Sequence, residues 1–282
     1  MRLLVAGRDG QLGRAVVEEA ERRGIDCNAP PENLFDIADL NVVRRVVKEI
    51  KPTHLINCAA YNLVDKAEED WKAAASVNGL GTRNLAITCA ELGAELLHCS
   101  TDYVFSGDKG EPYTIMDEPN PVNNYGKSKL LGEKLLNALG DRFYLVRLSW
   151  VFGNGSQNFL FKLKGWAQNN KRLEIVSDQV SSPSFVDDLA PALLDLMETG
   201  AYGLYHLCNT GHCSRYQWAE HALKLMGWRG ELVPVKSDRF PTLARRPAFS
   251  AMDTFPFKET VGYRLPTWQE ATERFLLKEA QK

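Results

Sequence analysis

The chain has 282 residues, of which 44% are hydrophobic and 25% charged, and its formal net charge is −2. These are ordinary globular values with room for one large α/β core, and they exclude a disordered or fibrous chain. There is no basic excess to hold a phosphate backbone, so no nucleic-acid partner is expected. The opening MRLLVAGRDG is too briefly apolar for a signal peptide, and no stretch reaches the about 20 apolar residues of a membrane span. The reading is a cytoplasmic protein with no membrane partner. Six cysteines (Cys27, Cys58, Cys89, Cys99, Cys208 and Cys213) lack CxxC spacing and read as buried, reduced thiols.

In chain order, residues 2–6 form a short apolar strand that breaks at glycines. A helix follows, marked on one side by Leu12, Ala15, Val16, Ala20 and Arg23 and stopped by Gly24. Residues 25–28 make a second strand. Asp39 caps a helix with Leu40, Val43, Val46, Val47 and Ile50 on its apolar face, and Pro52 forbids its continuation. Residues 54–59 are nearly all apolar, as a strand covered on both faces must be. A long helical region then runs to Leu92 and Gly93, followed by a strand at 94–99, a helix at 125–139 and a strand at 143–148. This alternation implies right-handed crossovers and an α/β fold with a doubly wound parallel sheet of the Rossmann type. Beyond Trp150, prolines punctuate shorter elements. Residues 1–150 therefore read as a dinucleotide-binding domain, and 151–282 as a mainly substrate-binding lobe. Residues 173–176 and 205–208 are expected to return to the sheet.

The first strand runs into Gly7-Arg8-Asp9-Gly10-Gln11-Leu12-Gly13. In this spacing Gly7 permits the tight turn, Gly10 lets backbone approach a pyrophosphate at the helix N-terminus, and Gly13 lets the helix lie against the strand. The second strand carries no Asp or Glu at its carboxyl end, where an NAD-specific enzyme bonds the ribose hydroxyls. Arg8 is placed to lean towards a 2′-phosphate, so NADPH or NADH is the expected cofactor.

Tyr125 and Lys129 stand four residues apart, hence on one helix face. Reduction of a ketone leaves an alkoxide that needs a proton. A phenol near about pKa 10 suits that task better if an ammonium and a helix N-terminus lower it. Thr101 is delivered to the same crevice by the strand before it, since ligands bind beyond the carboxyl ends of such strands. Glu68, Glu69 and Asp70 read as a solvated helix start, and Asp187 and Asp188 as caps of a helix beginning at Leu189. The five histidines show no metal spacing, and no metal site is expected.

With these motifs in hand, the chain resembles the dTDP-4-dehydrorhamnose reductases, extended short-chain dehydrogenases/reductases of dTDP-L-rhamnose synthesis. The likeness covers nearly the whole chain. It rests on GQLG (10–13), FDIAD (35–39), NCAAYNLVDKAEED (57–70), VNGLGTRNLA (77–86), STDYVF (100–105), YGKSKLLGE (125–133), RLSWVFG (147–153), SDQVSSPSFVDDLA (177–190), ARRPAFSAMD (244–253) and LPTW (265–268). The resemblance implies catalytic roles for Thr101, Tyr125 and Lys129. It puts Gly10, Gln11, Leu12, Asp36, Ile37, Ala59, Ala60, Tyr61 and Lys129 around the cofactor, beside Gly7 and Gly13. It turns Asn62, Val64, Thr101, Asp102, Tyr103, Tyr125, Trp150 and Arg246 towards a nucleotide sugar. Asn62 stands where the family often has threonine, and Phe152 where tyrosine is usual; the first bears on sugar specificity. Some family members are magnesium-linked dimers, which makes a homodimer a partner to test. Two alternatives stay open: a reductase of another nucleotide 4-keto sugar, and a non-catalytic subunit similar to the methionine adenosyltransferase β subunit.

Overall fold

The computed structural model describes residues 1–155 and 157–281. The first half alternates β1 (Arg2–Ala6), α1 (Gln11–Arg22), β2 (Asp26–Asn28), α2 (Leu40–Ile50) and β3 (His54–Asn57), then short helices α3 (Lys66–Glu69) and α4 (Trp71–Ala75). A π-helical turn (Ser76–Gly81) leads into α5 (Thr82–Leu92), β4 (Glu95–Thr101), α6 (Asn124–Leu139) and β5 (Phe143–Leu148). The second half holds β6 (Val151–Phe152), α7 (Phe159–Asn169), β7 (Arg172–Val176), β8 (Val180–Ser181), β9 (Ser184–Phe185) and α8 (Val186–Glu198). It ends with β10 (Gly203–His206), β11 (Cys213–Ser214), α9 (Arg215–Leu225), β12 (Glu231–Val235), α10 (Phe257–Val261) and α11 (Trp268–Ala280). Among the described residues no helix is long and apolar enough to cross a membrane.

The main sheet has the order β2-β1-β3-β4-β5-β10, and every pair in it is parallel. Alternate residues of β1 serve opposite cores. Leu3 and Val5 join the cluster containing Leu12, Val16, Leu189 and Leu193, from α1 and α8. Leu4 and Ala6 join Val43, Val47, Leu85 and Leu136, from α2, α5 and α6. A period of two feeding two helical layers is what a doubly wound sheet requires. The strand order reverses between β1 and β3, which opens a crevice at their carboxyl ends.

Several elements differ from their sequence reading. The long helix before Gly93 is broken, because the π-helical turn carries Asn78 inward and buries it at 1% exposure. β4 runs to Thr101, since its pairing with β5 continues through Ser100↔Arg147 and Thr101↔Leu148. Gly203–His206 joins the sheet as an edge strand, whereas Arg172–Val176 pairs with Glu231–Val235 in a separate ribbon. Helix α8 starts at Val186, so Asp187 and Asp188 are inside it and meet Lys278 and Arg274 instead of capping it. Glu68 accepts the Asn124 backbone N–H at 2.7 Å, tying α3 to the start of α6.

Behind the crevice Arg147 pairs with Glu133 at 2.7 Å, both under 5% exposed, and Ser100 donates to the same carboxylate at 2.5 Å. Removing one partner of such a buried pair costs about 3–5 kcal/mol, because the other charge is left without compensation. Arg147→Met should lose that much stability in urea unfolding, and adding Glu133→Leu should restore most of it. A single variant within about 0.5 kcal/mol of the parent would show that water reaches the pair.

Candidate active site

The glycine loop closes the crevice at the β1/β3 switch point. Gly7 has a φ of +82°, and a Cβ there would lie 2.4 Å from the Ala59 nitrogen. A Cβ on Gly13 would stand 2.1 Å from the Gly7 carbonyl, so the protein itself requires both glycines. Gly10 differs. Its nearest neighbour would be the Gly7 oxygen at 3.4 Å, an ordinary contact, so the space outside it is left open. Gly10 is also the N-cap of α1 and supplies no side-chain cap, leaving first-turn N–H groups of Gln11 and Leu12 facing that space. A loop that a side chain would fill, at the start of a 12-residue helix, fits a dinucleotide pyrophosphate.

The walls of this crevice are held by carboxamides. Asn57 accepts the Ala59 N–H at 3.1 Å, and Asn78 grips Tyr61 through both its N–H (2.8 Å) and its carbonyl (3.0 Å). Asn84 donates to the Ile37 and Ala38 carbonyls at 3.0 and 3.1 Å, with the exposed Asp36 turned back onto the Ala38 N–H. Ala60 is exposed at the rim. Arg8 donates to the Ala29 carbonyl at 2.9 Å, just past the end of β2.

Thr101, Tyr125 and Lys129 converge where β4 ends and α6 begins. Asn123 caps α6 by accepting the Gly126 N–H at 2.8 Å, and its amide donates to the Arg245 carbonyl. Lys129 is 1% exposed; its ammonium donates to the Cys99 carbonyl at 2.7 Å and lies 3.5 Å from His98 Nε2. Burial lowers the Lys129 pKa to about 8. Burial together with this ammonium keeps His98 neutral, and Asn57 meets its other ring nitrogen at 3.0 Å.

The phenol behaves differently from expectation. Burial pushes the Tyr125 pKa up, opposed by a hydrogen bond with Thr101, and the charges of Asp102 and Tyr103 push it up further. The Lys129 ammonium is bound to the strand and does not offset desolvation at the ring. Tyr125 is therefore held as a neutral phenol.

Asp102, 2% exposed, accepts hydroxyls from Thr101 (3.2 Å), Ser181 (3.0 Å) and Ser250 (2.6 Å), and burial raises its pKa. It links β4 to the second half and does not face outward as a free ligand. Tyr103 meets Tyr125 edge to face with centroids 5.8 Å apart. Trp150, at a φ of +38°, is stacked 5.9 Å from Trp218 and is half-buried, a wall and not a core indole. Asn62 is exposed and Val64 half-buried beside Asp65.

Arg246 departs from its assignment. Its two terminal nitrogens bind Asp65 at 2.6 and 2.7 Å, and one also donates to the Ala244 carbonyl, so it latches the ARRP segment to VDKAE. This pairing holds the Asp65 carboxyl below its usual range. Sequence reasoning assigned no role to Asn78, Ser181, Ser250 or Arg215. Their function arises from contacts across the fold, and only Asn78, Ser181 and Ser250 fall within quoted motifs.

The family model described as RmlD substrate binding domain matches residues 1–281. The chain is 37% identical to a dTDP-4-dehydrorhamnose reductase of Mycolicibacterium smegmatis, covering 96% of this chain and 84% of that one. It is 34% identical to the spore coat polysaccharide biosynthesis protein SpsK of Bacillus subtilis, over 98% and 96% of the two chains. A crystal structure of the Bacillus anthracis dTDP-4-dehydrorhamnose reductase in complex with NADP superposes with a TM-score of 0.95 at 35% identity, covering 98% and 99%. By family model, sequence and architecture, the chain belongs to the dTDP-4-dehydrorhamnose reductase family of extended short-chain dehydrogenases/reductases.

Proposed function

We propose that the protein is an NAD(P)H-dependent reductase that converts the C4 ketone of dTDP-4-dehydro-L-rhamnose to dTDP-L-rhamnose in the cytoplasm. The observation that carries this reading is the convergence of Thr101, Tyr125 and Lys129 beside a glycine loop shaped for a dinucleotide. The first half holds the cofactor through Gly7, Gly10, Gln11, Leu12, Gly13, Asp36, Ile37, Ala59, Ala60, Tyr61 and Lys129. Asn62, Val64, Asp102, Tyr103 and Trp150 shape the sugar pocket, with residues 151–282 supplying most of its outer part.

When bound, the reduced nicotinamide supplies a hydride to the substrate carbonyl carbon. Tyr125 donates its phenolic proton to the carbonyl oxygen, and burial keeps that proton in place until negative charge develops there. Thr101 holds the phenol and bonds the same substrate oxygen. Lys129 holds α6, and with it Tyr125, against the end of β4 and bonds the cofactor ribose hydroxyls. The retained triad favours this reading over a non-catalytic subunit.

Turnover is the direct test. Absorbance of NADPH should fall with dTDP-4-dehydro-β-L-rhamnose as dTDP-L-rhamnose forms; binding of NADPH without consumption by any 4-keto sugar nucleotide would leave the regulatory reading. Tyr125→Phe should lower kcat by roughly 10²-fold or more with little change in pocket shape. A Phe variant with most of its activity would mean that water or Thr101 protonates the alkoxide.

Because the Lys129 pKa is lowered, its ammonium is present below about pH 8 and lost above it. The free-enzyme profile of kcat/KM should therefore decline as pH rises through about 8. A profile flat to high pH would show that turnover does not need this charge. For the cofactor, Arg8 at the end of β2 and the missing carboxylate there favour acceptance of NADPH at least as well as NADH. A preference for NADH above about tenfold, or about 1.4 kcal/mol, at low salt would overturn that assignment.

A further inference from the structure

One cation near the crevice lacks the partner that its neighbours have. Arg215 opens α9 and is half-buried. Its guanidinium lies 3.5 Å from the Trp150 ring centre, and 5.1 and 5.5 Å from those of Phe159 and Trp218. Arg147, Arg246 and Arg274 each meet a carboxylate. Among the described residues no side chain or carbonyl accepts a hydrogen bond from the Arg215 guanidinium. Asp102 and Tyr103 are close enough for their charges to act on it, but the Asp102 carboxylate is committed to three hydroxyls.

The same group borders a cavity of about 340 Å³ with Trp150, Phe159, Lys162, Trp166 and Trp218. Lys162 is exposed and stands in the first turn of α7, an 11-residue helix whose N-terminus, at Asn158 and Phe159, also lines the cavity. Trp150 keeps its left-handed φ in forming this wall. Stacking on indole holds the guanidinium in place but supplies no acceptor for its N–H groups, which face the cavity. Two cations and a helix N-terminus converging on one space select an oxyanion with several acceptor oxygens.

We propose that Arg215 and Lys162 bind the diphosphate of the nucleotide-sugar substrate. The proposal rests on the nucleotide-sugar reading above and assigns the phosphate contacts that reading leaves open. The diphosphate is bonded to C1 of the sugar whose C4 is reduced, so it lies a sugar ring away from Tyr125. Tyr103 packs against Tyr125, and Arg215 lies within electrostatic reach of Tyr103. The glycine loop already provides for the cofactor pyrophosphate at a different helix. Arg215 is thus a binding residue whose loss should appear in KM more than in kcat.

The test is titration of the full-length protein with inorganic pyrophosphate, dTDP, thymidine and NADPH, for the parent, Arg215→Gln and Lys162→Gln. Loss of a charge-assisted contact should raise the dTDP and pyrophosphate Kd about tenfold or more for Arg215→Gln and about threefold for the more exposed Lys162→Gln. Thymidine and NADPH should bind unchanged. Unchanged pyrophosphate and dTDP affinity in folded Arg215→Gln overturns the proposal, as does a loss confined to NADPH, which would give the charge to the cofactor. If UDP or GDP proves the tighter ligand and depends on Arg215, the clamp stands and the dTDP reading fails. Should Arg215→Gln not fold, Lys162→Gln decides: no loss of pyrophosphate and dTDP affinity there overturns the proposal.

Discussion

The bond from the Lys129 ammonium to the Cys99 carbonyl is the contact on which the rest of the site depends. A buried ammonium is tolerated only where acceptors replace water, and a strand carbonyl at 2.7 Å does so without adding a negative charge. The bond fixes α6 against β4. It thereby sets Tyr125, one turn earlier on the helix, beside Thr101 at the strand end. His98, kept neutral under the same ammonium, extends the arrangement to Asn57 and so to the Ala59 loop at the cofactor crevice. A displacement of the lysine would disturb Tyr125 and the Ala59 loop together.

On the substrate side the decisive contacts are long-range and polar. Asp102 gathers hydroxyls from Ser181 and Ser250, and Asp65 binds Arg246 through two parallel hydrogen bonds. These join the carboxyl ends of β3 and β4 to segments about 80 to 180 positions away. The second half is fastened to the sheet from beneath as well, since α8 packs on α1 and Asp195 meets Arg23 at 2.7 Å. The crevice beside Tyr103 and Trp150 is consequently shaped by the same contacts that hold the chain's two halves together.

Much of this was legible in local pattern. Alternation of apolar runs and amphipathic helices is a short-range signal, and it located β1, α1, α2, β3, α6 and β5 to within a few residues. The glycine loop and the Tyr125/Lys129 pair were legible for the same reason, because their chemistry depends on spacing along one element. Thr101 was legible as the residue delivered by the end of its strand, whereas the resemblance added Trp150, which no local pattern distinguishes from a core indole.

By itself the sequence determined the doubly wound fold, the glycine loop between β1 and α1 and the Tyr125/Lys129 offset on α6, since each follows from the chain's short periods and fixed offsets. The tertiary structure alone decided that Tyr125 is a phenol made less acidic by burial, that Arg246 is a latch, and that Arg215 is left without a protein acceptor. Desolvation and pairing depend on which distant groups arrive beside a side chain, and no spacing along the chain records that.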